Sequence, residues 1–169
     1  MATPLPYIAG FFDGEGSIGI YANGQKAGCT LRVQLTQTVS QDSTVLLTEL
    51  RDRWGGSLSL YNKNLSRLAW NWQASAGKGY LFLCDIRPWL LLKVNQADIA
   101  LEWWTKRPER QRGARGRILS HPPEVHLADK VAAQALKNLK KPIDVVMEDA
   151  ADLVEVRYTL RQFVNVKGD

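Results

Sequence analysis

Between Pro6 and Ser17 the chain reads Pro-Tyr-Ile-Ala-Gly-Phe-Phe-Asp-Gly-Glu-Gly-Ser, and its glycines restrict what can form around it more than any other feature of the sequence. Pro6 suits the first turn of a helix, Ile8, Phe11 and Phe12 recur at helical spacing, and Gly14 and Gly16 supply the stop. Ala9, Gly10 and Gly14 carry almost no side chain, and Gly10 and Gly14 lie one turn apart on one face. A second helix can therefore approach that face very closely. If it is the same segment of another copy, two-fold symmetry puts two Glu15 carboxylates side by side. Carboxylates crowded at the negative ends of two helix dipoles repel, and a divalent cation resolves the repulsion.

The run Ile8-Ala9-Gly10-Phe11-Phe12-Asp13-Gly14-Glu15-Gly16 resembles the signature of the LAGLIDADG homing endonucleases, Leu-Ala-Gly-x-x-Asp-Gly-Asp/Glu-Gly. The resemblance implies a motif helix that forms an interface, here through Ala9, Gly10, Phe11, Asp13 and Gly14. It also implies that Glu15, with the backbone carbonyl of Gly14, binds an essential divalent metal, Mg²⁺. One motif per chain implies a homodimer. A dinucleotide loop is the competing reading, because Gly14-x-Gly16-x-x-Gly19 satisfies that pattern. Such a loop needs a strand before it and a helix after it, and the order here is reversed. A glycine-rich helix stop with two solvated acids is the plainer alternative.

With 169 residues, 45% hydrophobic and 23% charged, the chain has the composition of one globular domain, 1–169, with a substantial core. Its net charge of +5 suits an anionic partner. Cys29 and Cys84 lack any zinc or disulfide spacing and are expected as buried free thiols. His121 and His126 flank a Pro-Pro pair without further ligands. No apolar run is long enough to span a membrane and no signal-peptide profile is present, so an intracellular setting with no membrane partner is expected.

Four segments alternate with period two. Ser17 to Asn23 points Ile18, Ile20 and Ala22 inward; Leu31 to Val39 points Leu31, Val33 and Leu35 inward; Gly56 to Tyr61 buries Leu58 and Leu60; Arg67 to Ala74 buries Leu68, Trp70 and Trp72. Turn residues at Asn23-Gly24 to Gly28 and Asn62-Lys63-Asn64 make two hairpins. The outward set is Tyr21, Asn23, Arg32, Gln34, Thr36, Thr38, Ser57, Ser59, Tyr61, Arg67, Asn71 and Gln73. It is almost free of acids, whereas a merely solvated face mixes both signs. Arg, Gln, Asn, Ser and Thr are the side chains that hydrogen-bond base edges in a major groove. Polar alternation in half-buried strands is the neutral explanation. In the family such a sheet forms a saddle on double-stranded DNA, and Gln25, Lys26 and Lys63 at the hairpin tips would reach outer base pairs and phosphates.

Between the hairpins, Val45, Leu46, Leu47, Leu50 and Trp54 mark a helix that starts near Ser40 or Asp42 and stops at Gly55-Gly56. Ser40-Gln41 is similar to the family position at which a Gln orders water around the metals. Tyr80 to Trp89 predicts a third helix, with Leu81, Phe82, Leu83 and Ile86 as its apolar residues. Leu92-Lys93-Val94-Asn95-Gln96-Ala97 then resembles the Leu-Lys-x-x-Gln-Ala element whose Lys lies over the scissile phosphate. Lys93 is also the one basic residue in the run from Trp89 to Val94; snorkelling to the surface is its ordinary explanation. Ala97 to Trp104 continues as helix. Lys106, Arg107, Arg110, Arg112, Arg115 and Arg117 form a basic run suited to the DNA backbone, and helices follow at Pro123 to Leu139 and Ile143 to about Val164. Val131, Ala135 and Leu139 are expected to pack the first of these on the core.

The expectation is therefore an α+β, αββαββα fold: a four-stranded antiparallel saddle backed by helices, matching the family best over 7–104. The implied protein is a homodimeric, Mg²⁺-dependent, site-specific endonuclease with Glu15, Gln41 and Lys93 as catalytic residues and a long pseudo-palindromic target. A non-cleaving binder of the same fold, an RNA maturase or a transcription factor, is the alternative.

Overall fold

The computed structural model describes residues 2–22, 28–62, 68–108 and 122–140. Pro6 sits in the first turn of α1, Leu5–Glu15, which ends where Gly16 becomes extended and donates its N–H to the Phe12 carbonyl. There follow β1 (Gly16–Ala22), β2 (Cys29–Thr38), α2 (Gln41–Trp54), β3 (Ser57–Asn62), β4 (Leu68–Ser75), α3 (Gly77–Ile86), a 3₁₀ turn (Arg87–Trp89), α4 (Val94–Lys106) and α5 (Pro123–Asn138). The αββαββα order is present, with two further helices. α3 stops three residues short of the expected Trp89: Pro88 has no N–H to extend the ladder, and the chain tightens instead. The helix expected from Ile143 lies outside the described residues.

The sheet order is β1-β2-β4-β3, all antiparallel, so the two hairpins join through β2 and β4 with Gln34 opposite Gln73 and Leu35 opposite Trp72. Ile18, Leu31, Val33, Leu35, Trp72 and Ala74 bury one face against Ile8 and Phe12 of α1, Leu47 and Leu50 of α2, and Phe82, Leu83 and Ile86 of α3. Phe82 is the hub, edge-on to Phe12, Trp54 and Trp72 at 4.9 to 5.1 Å between ring centres. Each such pair adds about 0.5–1.5 kcal/mol beyond area burial. Ser40 caps α2 in a reciprocal box with Ser43, and Gly55 and Gly56 follow it at φ 75° and 95°. A Cβ on Gly56 would lie 2.4 Å from the Gln73 carbonyl oxygen, so the turn into β3 requires glycine there.

Alternation assigns faces but does not say how far the cover extends. Leu60 and Leu68, expected inside, are 56% and 50% exposed, because they sit at the outer end of the β3–β4 hairpin, away from the buried cluster around Trp72. Val45 and Leu81 are likewise exposed on the solvent sides of α2 and α3. α5 packs through the face of Asp129, Ala132, Ala133 and Leu136 rather than through Val131 and Leu139, both exposed. Buried Asp129 organises that contact. It accepts from the Cys29 N–H at 3.0 Å and from Trp103 Nε1 at 2.9 Å, and pairs with Arg107, which stacks on the Trp103 ring. Cys29 is buried as expected, whereas Cys84 is exposed on α3.

Candidate active site and nucleic-acid face

The C-terminal end of α1 is electrostatically loaded. The dipole leaves partial negative charge there, the sequence adds Asp13 and Glu15, and the last turn holds no basic residue. Compensation comes from the segment leading into α4. The Asp13 carboxylate, 6% exposed, accepts three successive backbone N–H groups, from Leu91 at 2.6 Å, Leu92 at 3.1 Å and Lys93 at 2.9 Å. Lys93 Nζ in turn donates to the Asp13 main-chain carbonyl oxygen. One residue thus fixes both the backbone that carries Lys93 and the direction of its side chain.

That clamp holds the Lys93 ammonium beside Glu15. Burial pushes the Lys93 pKa below the ordinary lysine value, and the Asp13 and Glu15 charges oppose the shift. Lys140, just beyond α5, is also lowered, by burial first and then by the Lys93 charge. The Lys93 charge thus reaches Lys140, a cation that nothing in the sequence had marked. Glu15 itself is exposed. The Phe12 carbonyl is occupied by the Gly16 N–H and the Asp13 carbonyl by Lys93, while Gly14 has no helical residue four positions on to satisfy its own.

These groups fit a hard divalent cation such as Mg²⁺. Glu15 and the Gly14 carbonyl offer oxygen donors, the kind Mg²⁺ takes alongside several retained waters. Among the described residues no group of three His, Cys, Asp or Glu could hold a metal within one chain. Asp13 is fully engaged by N–H donors and adds nothing.

The residues expected at an interface separate into two sets. Gly10 and Gly14 lie open, with nothing within 4 Å of an added Cβ, and Phe11 is half-buried. Ala9 and the Asp13 side chain are buried inside their own chain, which corrects the expectation that they face a neighbour. The helix turns Ile8, Ala9, Phe12 and Asp13 to the core, so only the opposite stripe is free. Tyr7 (60% exposed), Leu91 (83%) and Leu92 (77%) add apolar surface around the α1 segment and its clamp. Gln41 is exposed at the start of α2 and lines a groove with Tyr7 and Phe11, further back along α1 than Glu15; within one chain no hydrogen bond joins it to Glu15 or Lys93 among the described residues.

On the sheet's other face the register sets Gln34 beside Gln73 and Ser57, and Thr36 beside Asn71 and Ser59. Tyr21 and Arg32 lie on this face near the β1 edge, and Thr38 ends β2. None of the four strands contains an acidic residue. Tyr61 belongs to β3. Asn23, Gln25, Lys26, Lys63, Arg67 and the basic positions from Arg110 to Arg117 lie outside the described residues.

A helix ending in a carboxylate, a clamped lysine beside it and a polar four-stranded sheet define the class, and the comparisons agree. Residues 8–86 match the family described as LAGLIDADG endonuclease, which the chain resembles over that span. Two structures of the homing endonuclease I-CvuI in complex with DNA targets share the fold. One, with Mg present and its DNA not cleaved, has a TM-score of 0.60 at 19% identity and covers 96% of this chain and 95% of that one. The other, with Ca, has a TM-score of 0.58 at 16% identity and covers 94% and 92%. The homing endonuclease I-TnaI has a TM-score of 0.50 at 11% identity and covers 96% and 99%. No curated protein matches the sequence.

Proposed function

We propose that two copies of the chain pair through the Gly10–Gly14 face of α1 to form a Mg²⁺-dependent endonuclease that cuts both strands of a long, pseudo-palindromic DNA target. The observation that carries this is the Lys93 ammonium anchored by Asp13 next to exposed Glu15, at the edge of a helix face that carries no side chain. Half a metal site beside an open glycine stripe calls for its symmetry mate, and Leu91 and Leu92 would be covered by the same contact.

In this mechanism Glu15 and the Gly14 carbonyl would hold the metal, which would supply a more acidic water and positive charge for the leaving oxygen. Lys93 lies against the scissile phosphate and neutralises charge that grows as the phosphorus gains its fifth oxygen. Because Asp13 orients it beforehand, no reorganisation accompanies that step. Gln41 orders the attacking water from its groove beside Phe11. The acid-free sheet face lies in the major groove, and the fixed separation of the two copies sets the stagger of the cut.

Duplexes cleaved in Mg²⁺ are selected from a random library and then offered to wild type and Glu15→Gln. The expected result is cleavage by wild type alone and binding by both. A Glu15→Gln variant that cuts as well as wild type would overturn the assignment. Sequence-specific binding without cleavage by either would favour the maturase or transcription-factor alternative.

A further inference from the structure

On the polar sheet face one side chain stands apart from its neighbours. Gln34 donates to Gln73 at 3.2 Å, Gln73 to Ser75 at 3.4 Å and Thr36 to Asn71 at 3.2 Å, so these groups already satisfy one another across β2 and β4. Arg32 does not join them. It lies on β2, a central strand, opposite Gly19 on one side and Ser75 on the other, two of the smallest residues available. Its guanidinium carbon sits 4.7 Å from the centre of the Tyr21 ring. Its Nε is buried without a hydrogen-bond partner among the described residues, and the ion pairs found there do not include it.

Gly19 makes this arrangement possible. Gly19 and Tyr21 point to the same face, and a Cβ on Gly19 would lie 2.4 Å from the Tyr21 ring. The bare backbone lets the ring fold back over it, and the ring in turn supports the guanidinium. A cation stacked on an aromatic face loses side-chain freedom before any ligand arrives, while its outer N–H groups stay directed along the guanidinium plane. Two parallel N–H donors in one plane match guanine O6 and N7. A phosphate would accept the same fork, yet phosphates flank a groove whereas a central strand of the sheet meets its floor.

We propose that Arg32, held by Tyr21 over Gly19, reads one guanine in each half of the target. The inference rests on the sheet lying in a DNA groove and adds the base and the position that specify it. Two-fold pairing makes the guanines symmetry-related.

The test is a binding selection from a randomised duplex library with the full chain, in Ca²⁺ to hold cleavage back, on wild type, Arg32→Lys, Arg32→Gln, Tyr21→Phe and Tyr21→Ala. Wild type should favour guanine by about 10- to 100-fold at one pair of symmetric positions. Arg32→Gln should lose that preference there and nowhere else, and Arg32→Lys, which lacks the planar fork, should weaken it there. Tyr21→Phe, which keeps the ring, should retain it, and Tyr21→Ala should weaken it. The proposal falls if the Arg32 variants keep the wild-type profile with only a lower melting temperature, which would make the stack structural. It falls equally if they weaken every sequence alike with a shallower salt dependence, the mark of a phosphate contact. A wild type that selects no sequence at all would instead remove the DNA-binding reading beneath it.

Discussion

Lys93 is bound at both ends by Asp13: its N–H donates to the Asp13 carboxylate at 2.9 Å and its ammonium to the Asp13 carbonyl oxygen. The two residues are 80 positions apart in sequence. This contact joins the segment before α4 to the end of α1, and it predicts that Asp13 acts on cleavage through Lys93. Lys93→Met should reduce cleavage by about 10²–10³-fold with little change in target binding. Asp13→Asn should reduce it less, and the double variant should be no slower than Lys93→Met alone. Independent, multiplicative losses would show that Asp13 does not work through Lys93.

Removing the carboxylate altogether has a cost to the fold. Asp13→Ala strands three N–H groups that now meet a carboxyl oxygen, so urea unfolding should show a loss of about 2–3 kcal/mol. An unchanged midpoint would mean water replaces the carboxylate freely.

Asp129 is the second buried acid on which tertiary structure depends. Its two oxygens tie α5 to the first residue of β2 and to Trp103 of α4, with Arg107 alongside at 3.9 Å. Asp129→Ala leaves a nearly buried guanidinium and an indole N–H without that acceptor, and should destabilise by about 3–5 kcal/mol. A loss within 0.5 kcal/mol would place α5 outside the cooperative unit.

The two thiols should respond differently to alkylation. Burial first, then the Asp129 charge and hydrogen bond, push the Cys29 pKa up, while Cys84 is exposed. Folded protein should take up iodoacetamide at Cys84 only, and urea-unfolded protein at both, as read by intact mass. Because the folded state holds the Cys29 proton to higher pH than the unfolded state, stability should fall as pH rises from the ordinary thiol range through the raised value. Rapid labelling of Cys29 in the folded protein would contradict this.

The glycine helix, the two hairpins and the covering helix were all legible, because each rests on a local period or a turn residue. What escaped was long-range. Asp13 sits among Gly-Glu-Gly and reads as a solvated or interfacial acid, since the three groups that bury it are backbone N–H groups that leave no side-chain signature. Asp129 is one acid on an amphipathic helix, and only the arrival of Cys29 and Trp103 distinguishes it. Lys140 escaped similarly, because the Lys93 charge reaches it only after α5 has packed. The exposure of Leu60 and Leu68 depends on how far the helices extend over the sheet, which strand alternation does not encode.

Everything proposed for Glu15 requires a second Glu15, and the mass of the particle in solution tests that requirement most directly. Sedimentation equilibrium at micromolar concentration should give wild type twice the 19.0 kDa mass of the chain. Gly10→Leu adds a side chain where one chain leaves space and the paired helices would not, so it should sediment at 19.0 kDa with its circular dichroism unchanged. Wild type at 19.0 kDa across the concentration range, or Gly10→Leu pairing as well as wild type, would contradict the account.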